Sequence, residues 1–226
     1  MKGSTSQFIA PRLGGFAERV ALRVRKKIFA DAMHVCRPQS NIKILDIGVT
    51  DDESADSNFF EKLYPYPWQI TAVGLEDASF LEDQYPGLVF VKADACDLPF
   101  MDKAFDFAFC SAVIEHVGSR QRQKLLILEA VRVAKVVMIS TPNKWYPIEF
   151  HTLTPFLHWL PPRVFRFFLK VTGRKFFSRE SNLNLLSAHC IENMCHSEHL
   201  NFSVYHQTLL GITSNLVYTI NDYSVA

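Results

Sequence analysis

Residues 42–49 read IKILDIGV, an apolar run that ends on an acid and a glycine. A continuous apolar run without alternation is the pattern of a strand buried on both faces, and Gly48 closes it with a turn. The signature recurs downstream. ITAVGLE (70–76) ends on Glu76, LVFVKAD (88–94) on Asp94, FDFAFCSA (105–112) on Ser111 and Ala112, and KVVMIS (135–140) on Ser140. Helical stretches separate several of these runs: Ala55 to Tyr64, closed by Pro65 and Pro67, and Arg120 to Ala134. Five strands separated by helices predict an α/β fold with a doubly wound, mostly parallel sheet.

Upstream, FAERVALRVRKKIFADAMHV (16–35) sets Phe16, Val20, Val24, Ile28 and Val35 along one stripe. An amphipathic helix is expected there, ended by Pro38, so residues 1–40 read as a helical extension to a domain spanning 41–226. After Thr141 the texture changes. TPNKWYPIEFHTLTPFLHWLPPRVFRFFLK is dense in proline, aromatics and histidine and lacks strand alternation, so 142–186 reads as an insertion or lid with short helices. A helix over 187–199 and an antiparallel pair, FSVYHQTLL (202–210) and NLVYTI (215–220), complete the chain.

With 226 residues, 48% of them hydrophobic and 21% charged, the chain is neither disordered nor collagen-like and suits one sizeable core. Five scattered cysteines, an odd number, give no disulfide framework and favour a reducing compartment. The N-terminus lacks a continuous apolar stretch of the signal-peptide kind, and no run of 18 apolar residues occurs. A soluble, cytoplasmic protein is expected. The net charge of +1 hides three blocks: residues 1–40 carry +6, 46–106 carry −11 and 142–179 carry +6. Near-neutral overall charge and the lack of a recognition motif speak against nucleic acid as a partner. The two basic blocks, with Arg23, Lys26, Lys27, Arg163, Arg166 and Lys170, instead predict peripheral contact with an anionic surface. PRVFRFFLKVTGRKFF suits a helix lying in a lipid interface, although a helix packing its phenylalanines on the sheet would show the same pattern.

In open α/β sheets, ligands bind beyond the carboxyl ends of the strands. Asp46, Gly48, Glu76, Asp94 and the stretch from Ser111 to His116 fall at those ends and together predict a nucleoside-type ligand. An acid after the second strand can accept hydrogen bonds from both ribose hydroxyls, Asp94 can accept one from an adenine amino group, and Gly48 admits close backbone approach. A dinucleotide site would need G-x-G-x-x-G opening a helix. Here Asp51-Asp52-Glu53 would repel a pyrophosphate instead.

ILDIG, VGLED, VKADACDLPFMDKAFDFAFCSAVIEHVG and ISTPNKWYPIEFHT, in that order, resemble a class I S-adenosylmethionine-dependent methyltransferase. The likeness is to the group with a D-A-x-x-L-P-F-x-D-x-x-F-D segment followed by E-H-V; it covers roughly residues 40–145 and is most specific from Asp94 to Val117. It implies a Rossmann-like, seven-stranded sheet whose last strand is antiparallel, with S-adenosylmethionine across the early strand ends. Carried over residue by residue, Asp46 and Gly48 match the glycine loop, Glu76 the ribose acid, and Asp94 with Ala95 the adenine pair. Ser111 lies in the strand end beneath the cofactor. The loop departs from the family's G-x-G-x-G, reading Gly48-Val49-Thr50-Asp51-Asp52, and leaves Thr50 and Asp51 to meet the cofactor's ammonium group.

The resemblance further implies methyl transfer to a small-molecule acceptor, here read as lipid- or glycan-linked, with the aromatic, basic insertion selecting it. His116, in the E-H-V segment, and His151, in the insertion, are the candidates for catalysis, as base or hydrogen-bonding partner. A methyltransferase fold kept as a non-catalytic binding or assembly subunit is the alternative, and Val49 to Glu53 divide the two. No metal site is expected. His189, Cys190, Cys195, His196 and His199 lie close in sequence, yet lack C-x-x-C spacing and spread around a helix.

Overall fold

The computed structural model describes residues 16–52 and 57–221. Strands β1 (Ile44–Ile47), β2 (Ile70–Gly74), β3 (Val89–Lys92), β4 (Phe105–Ser111), β5 (Ala134–Pro142), β6 (Asn201–Leu209) and β7 (Ile212–Asn221) form one sheet in the order 3-2-1-4-5-7-6. Only β7 runs antiparallel to its neighbours β5 and β6; the first five strands pair in parallel. The expected doubly wound, seven-stranded sheet with a reversed last strand is therefore the observed one. Its order reverses between β1 and β4, which places the ligand crevice at the carboxyl ends of those two strands.

Burial explains the strand sequences. All four residues of β1 are buried, whereas the edge strand β3 is half-exposed and β6, at the other edge, is mostly half-buried or exposed. In β1, Leu45 and Ile47 pack with Leu126 and Ile127 of α4 (Arg120–Val133) and Ile191 and Cys195 of α6 (Ala188–Ser197). Ile44 joins the opposite core, with Ile28, Ala32 and Cys36 of α1 (Phe16–Cys36), Phe60 of α2 (Phe59–Leu63) and Leu81 of α3 (Phe80–Gln84). The helix expected over 16–35 thus packs into the sheet core. Phe60 stacks on Phe109 of β4 at 4.7 Å between ring centroids.

The helix expected from Ala55 to Tyr64 is shorter than its sequence pattern. Residues 55 and 56 lie outside the described residues, and Asn58 sits at φ +47°, which no α-helix accommodates. Its amide side chain instead clasps the backbone of Thr50, accepting from its N–H at 3.0 Å and donating to its carbonyl at 3.0 Å. The C-terminal hairpin turns through Leu210 and Gly211, both at positive φ, as a two-residue turn between twisted strands requires.

Between β5 and α6 the chain makes an excursion over residues 143–187 without adding a strand. It contains a 3-10 turn at Leu157–Trp159 and α5 (Pro162–Val171), with a small core of Phe165, Leu169, Leu183 and Leu185. Among the described residues, no helix is long and apolar enough to cross a membrane.

Candidate active site

The loops after β1, β2 and β3, the segment after β4 and the end of the excursion enclose a cavity of about 520 Å3. That size suits a cofactor-sized ligand. Of the residues read from the sequence as cofactor-binding, Gly48, Glu76, Asp94 and Ala95 line this cavity; Asp46, Thr50 and Ser111 do not. Val113, His116, Arg122 and Glu180 to Asn182 complete much of the lining.

The loop after β1 is held tightly. Gly48 takes φ +106°, and a Cβ there would lie 2.0 Å from a Val113 methyl carbon, so glycine is required by both backbone and space. The N–H groups of Gly48 and Val49 both donate to the Val73 carbonyl, at 2.7 and 3.0 Å. The missing glycines are thereby replaced by a loop buttressed from β2 and by the Asn58 clasp on Thr50. Asp46 is buried against Glu61 of α2. Burial raises both carboxyls above the ordinary carboxylate range. Asp51 keeps one buried carboxylate oxygen with no hydrogen-bond partner among the described residues.

Glu76 is half-buried on the cavity wall, and its side chain makes no hydrogen bond or ion pair among the described residues. Asp94 is already engaged. Its Oδ1 accepts the Cys96 N–H at 2.9 Å and its Oδ2 accepts from the Arg122 guanidinium at 2.6 Å. Burial pushes its carboxyl up, but these two partners outweigh burial and hold it below the usual carboxylate range. Ser111 shares a 2.7 Å hydrogen bond with Ser140.

His116 and His151, 35 residues apart in sequence, meet with their Nε2 atoms 3.0 Å apart and their rings edge to face. Each has its other ring nitrogen anchored. His116 Nδ1 contacts the Asn182 carbonyl at 2.7 Å, and His151 Nδ1 contacts Glu149 Oε1 at 2.7 Å. A carbonyl and a carboxylate accept only, so both Nδ1 atoms carry hydrogen and both Nε2 lone pairs point at each other. A positive charge must bridge them. Burial holds His116 down to about 3; burial also lowers His151, but Glu149 outweighs it and raises that ring, so a bridging proton belongs to His151. Glu149 is itself pushed up by burial, then brought down to about 2 by His151 and the hydrogen bonds of His151 and Thr152. Glu115 is fully buried, its Oε2 accepting from Thr141 Oγ1 at 2.9 Å.

Sequence reasoning missed three of these groups. Glu149 was visible only as a lone acid in a basic block, though its E-x-H spacing before His151 was a usable signal. Arg122 and Asn182 carried none; they reach the cavity because Gln123 of α4 donates to the carbonyls of Ile114 and Asn184, at 3.0 and 2.7 Å, fastening the excursion's end to the segment after β4.

Residues 45–136 match the family model described as a methyltransferase domain. No curated protein matches the chain. Among solved structures, an S-adenosylmethionine-dependent methyltransferase from Thermotoga maritima superposes with a TM-score of 0.54 at 16% identity, covering 91% of this chain and 93% of that one. Magnesium protoporphyrin IX methyltransferase from Synechocystis PCC 6803, with bound S-adenosylhomocysteine, gives a TM-score of 0.56 at 9% identity, covering 92% and 88%. The YcgJ protein of Bacillus gives 0.57 at 14% identity, covering 87% and 98%. At these identities the superpositions speak for the fold. Residues 45–136 thus resemble a methyltransferase domain, and the seven-stranded fold around them is the one shared with these S-adenosylmethionine-dependent methyltransferases.

Proposed function

We propose that this chain is an S-adenosylmethionine-dependent methyltransferase acting on an amphipathic small molecule, lipid- or glycan-linked, that it takes up at an anionic membrane surface. One observation carries this reading. On α5, Val164, Phe167, Phe168 and Val171 follow i, i+3, i+4, i+7 spacing and are 40%, 61%, 38% and 60% exposed, while Phe165 and Leu169 face the small core. A helix packed only against its own protein would show polar residues there. Beside this stripe in sequence, Trp145, Phe156, Trp159 and Leu160 are also exposed, and the ring of Phe156 lies 4.9 Å from that of Trp159. Arg163, Lys170, Arg174 and Lys175 supply cations along the same segment. The excursion that bears this face also supplies Glu180, Ser181 and Asn182 to the cavity wall.

S-adenosylmethionine, when bound, supplies a methyl group already activated on a sulfonium. The residues' work is then to bind and orient. Glu76 receives the ribose diol, Asp94 and Ala95 the adenine edge, and Gly48 allows close approach of the loop. Asp46, Thr50 and Ser111 act through the loops they hold. The unpartnered oxygen of Asp51 is suited to an ammonium group, which supports the fit of the departed glycine loop. His116, backed by His151, stands in the cavity wall where the acceptor's nucleophile would arrive, and orientation in the cleft does much of the remaining catalytic work.

Vesicle co-sedimentation tests the surface. Each cation near an anionic bilayer is worth about 1 kcal/mol, and a buried phenylalanine roughly 1.5–3 kcal/mol. Pelleting with anionic vesicles that falls with salt, little pelleting with neutral ones, and its loss in a Phe167→Ser/Val171→Ser variant are expected. No pelleting with anionic vesicles at low salt would overturn the reading.

A further inference from the structure

We propose that Glu115, His116 and His151 together hold one divalent transition-metal ion, zinc by their ligand chemistry, beside the cofactor cavity. This deepens the function just proposed and rests on it for the acceptor step.

The ligand atoms already converge. Glu115 Oε1 lies 4.0 Å from both His116 Nε2 and His151 Nε2, which are 3.0 Å from each other. Ligands at about 2.0–2.1 Å around a tetrahedral zinc stand roughly 3.3 Å apart. The two nitrogens would open by about 0.3 Å and the carboxylate close by about 0.7 Å, shifts within ordinary side-chain adjustment.

The surroundings prepare the same atoms for a metal. A metal-bound histidine donates its other N–H to a carbonyl or carboxylate, which fixes the tautomer. His116 does so to Asn182 and His151 to Glu149. The third ligand adds an independent sign. Glu115 is fully buried, its Oε2 is occupied by Thr141, and its Oε1 faces the two rings without a hydrogen-bond partner among the described residues. A proton shared between the rings would leave that oxygen unsatisfied, at a cost buried carboxylates rarely bear. A divalent ion satisfies all three ligands at once. It also compensates two buried acids, Glu115 and Glu149, whose ion-pair partners among the described residues are histidines alone.

Two histidines and a glutamate with one position open make a catalytic zinc set. His116 stands in the cavity wall, so an ion held there borders the cofactor cavity. The ligand class that fits is a hydroxyl oxygen. Bound to the ion, the hydroxyl loses its proton to water at a lowered pKa. The oxygen then forms the new bond to the methyl carbon as the carbon–sulfur bond breaks, and the sulfonium leaves as a neutral thioether. Glu149 is a positioning residue for His151.

Tag-free protein, stripped with a chelator and titrated with Co2+ and then Zn2+, tests the site directly. One equivalent of Co2+ should bind with visible absorption of a low-coordinate site, and Zn2+ should displace it. Glu115→Gln, which preserves shape, should weaken Co2+ binding at least 30-fold, and Glu149→Gln about 10- to 100-fold. His189→Ala, on the far helix α6, should leave it unchanged. S-adenosylhomocysteine binding, measured on each protein, reports folding and the cavity separately. Protein that binds S-adenosylhomocysteine but no metal, or a folded Glu115→Gln variant that binds Co2+ as well as wild type, overturns the site and leaves the cofactor cleft standing. Metal bound without S-adenosylhomocysteine sustains the metal site and overturns the cleft.

Discussion

Replacing Glu76 with alanine isolates cofactor affinity from stability more cleanly than any other change in the cavity. Its carboxylate is half-buried on the wall and its side chain holds no partner among the described residues, so deletion breaks no contact of the protein with itself. Folding stability should stay within about 0.5 kcal/mol of wild type. Binding should not. A hydrogen bond to a charged group contributes about 1.5–3 kcal/mol. At 1.4 kcal/mol per decade, Glu76→Ala should raise the Kd for S-adenosylhomocysteine by roughly 10- to 150-fold. Isothermal titration at fixed salt gives the Kd, and a melting curve without ligand gives the stability. A Kd within twofold of wild type, in protein with an unchanged Tm, would refute the assignment of Glu76 to the ribose. Asp94→Ala is a poorer probe. It strands the Arg122 guanidinium and the Cys96 N–H, so affinity and stability should fall together.

Gly48→Ala places a Cβ 2.0 Å from a Val113 carbon at φ +106°, so overpacking of about 1–3 kcal/mol adds to backbone strain. Urea unfolding should show the loss, and adding Val113→Ala should recover the steric part; a double variant no better than the single would exclude that contact as the cause. The depressed carboxyl of Asp94 contributes stability that is present above the unfolded value near 4 and is lost as pH falls through its lower folded value. Asp94→Asn should therefore flatten acid unfolding below about pH 4, by an amount reduced by the partial exposure of the pair; identical acid profiles would contradict the ion pair's role.

The sheet was legible because each buried strand announces itself twice, by an apolar run and by the acid or glycine that ends it. Ile44 to Gly48 is the clearest case. The segment after β5 differs from the rest in texture, and its outward apolar face was open to two interpretations because Phe165 and Phe167 look alike in sequence. Only the fold shows that one is buried and the other is not. The D-A-x-x-L-P-F segment illustrates a different limit. Part of its specificity is structural: Glu129 accepts the Leu98 N–H at 2.9 Å, and Arg132 donates to the carbonyls of Leu98 and Phe100 at 2.9 and 2.7 Å. A motif alone cannot separate such clasps from ligand contacts. The Glu115–His116–His151 convergence was invisible for a topological reason. Two ligands are adjacent at the end of β4 and the third arrives from beyond β5, a pairing that no local spacing encodes.

The excursion does little to stabilise itself. Its own core holds four buried apolar side chains, and α5 exposes as many in its outward stripe. What keeps it in place is polar fastening at both ends. Asn143 donates from its N–H to the Ser214 carbonyl at 2.8 Å and from its side chain to that of Thr213 at 3.0 Å, at the sheet end of the segment. At the far end, Arg120 donates to the Leu185 carbonyl at 2.7 Å, and Asn184 bonds to Glu115 and Gly118 at 2.7 Å each. Those same fasteners carry His151 to His116 and Asn182 to the cavity wall. A largely exposed apolar stripe therefore sits on a segment whose position is fixed against the cleft. Contact of that stripe with a bilayer would set the height of the cavity above the surface. An acceptor with its apolar part left in the lipid could then present only its polar end to His116 and His151.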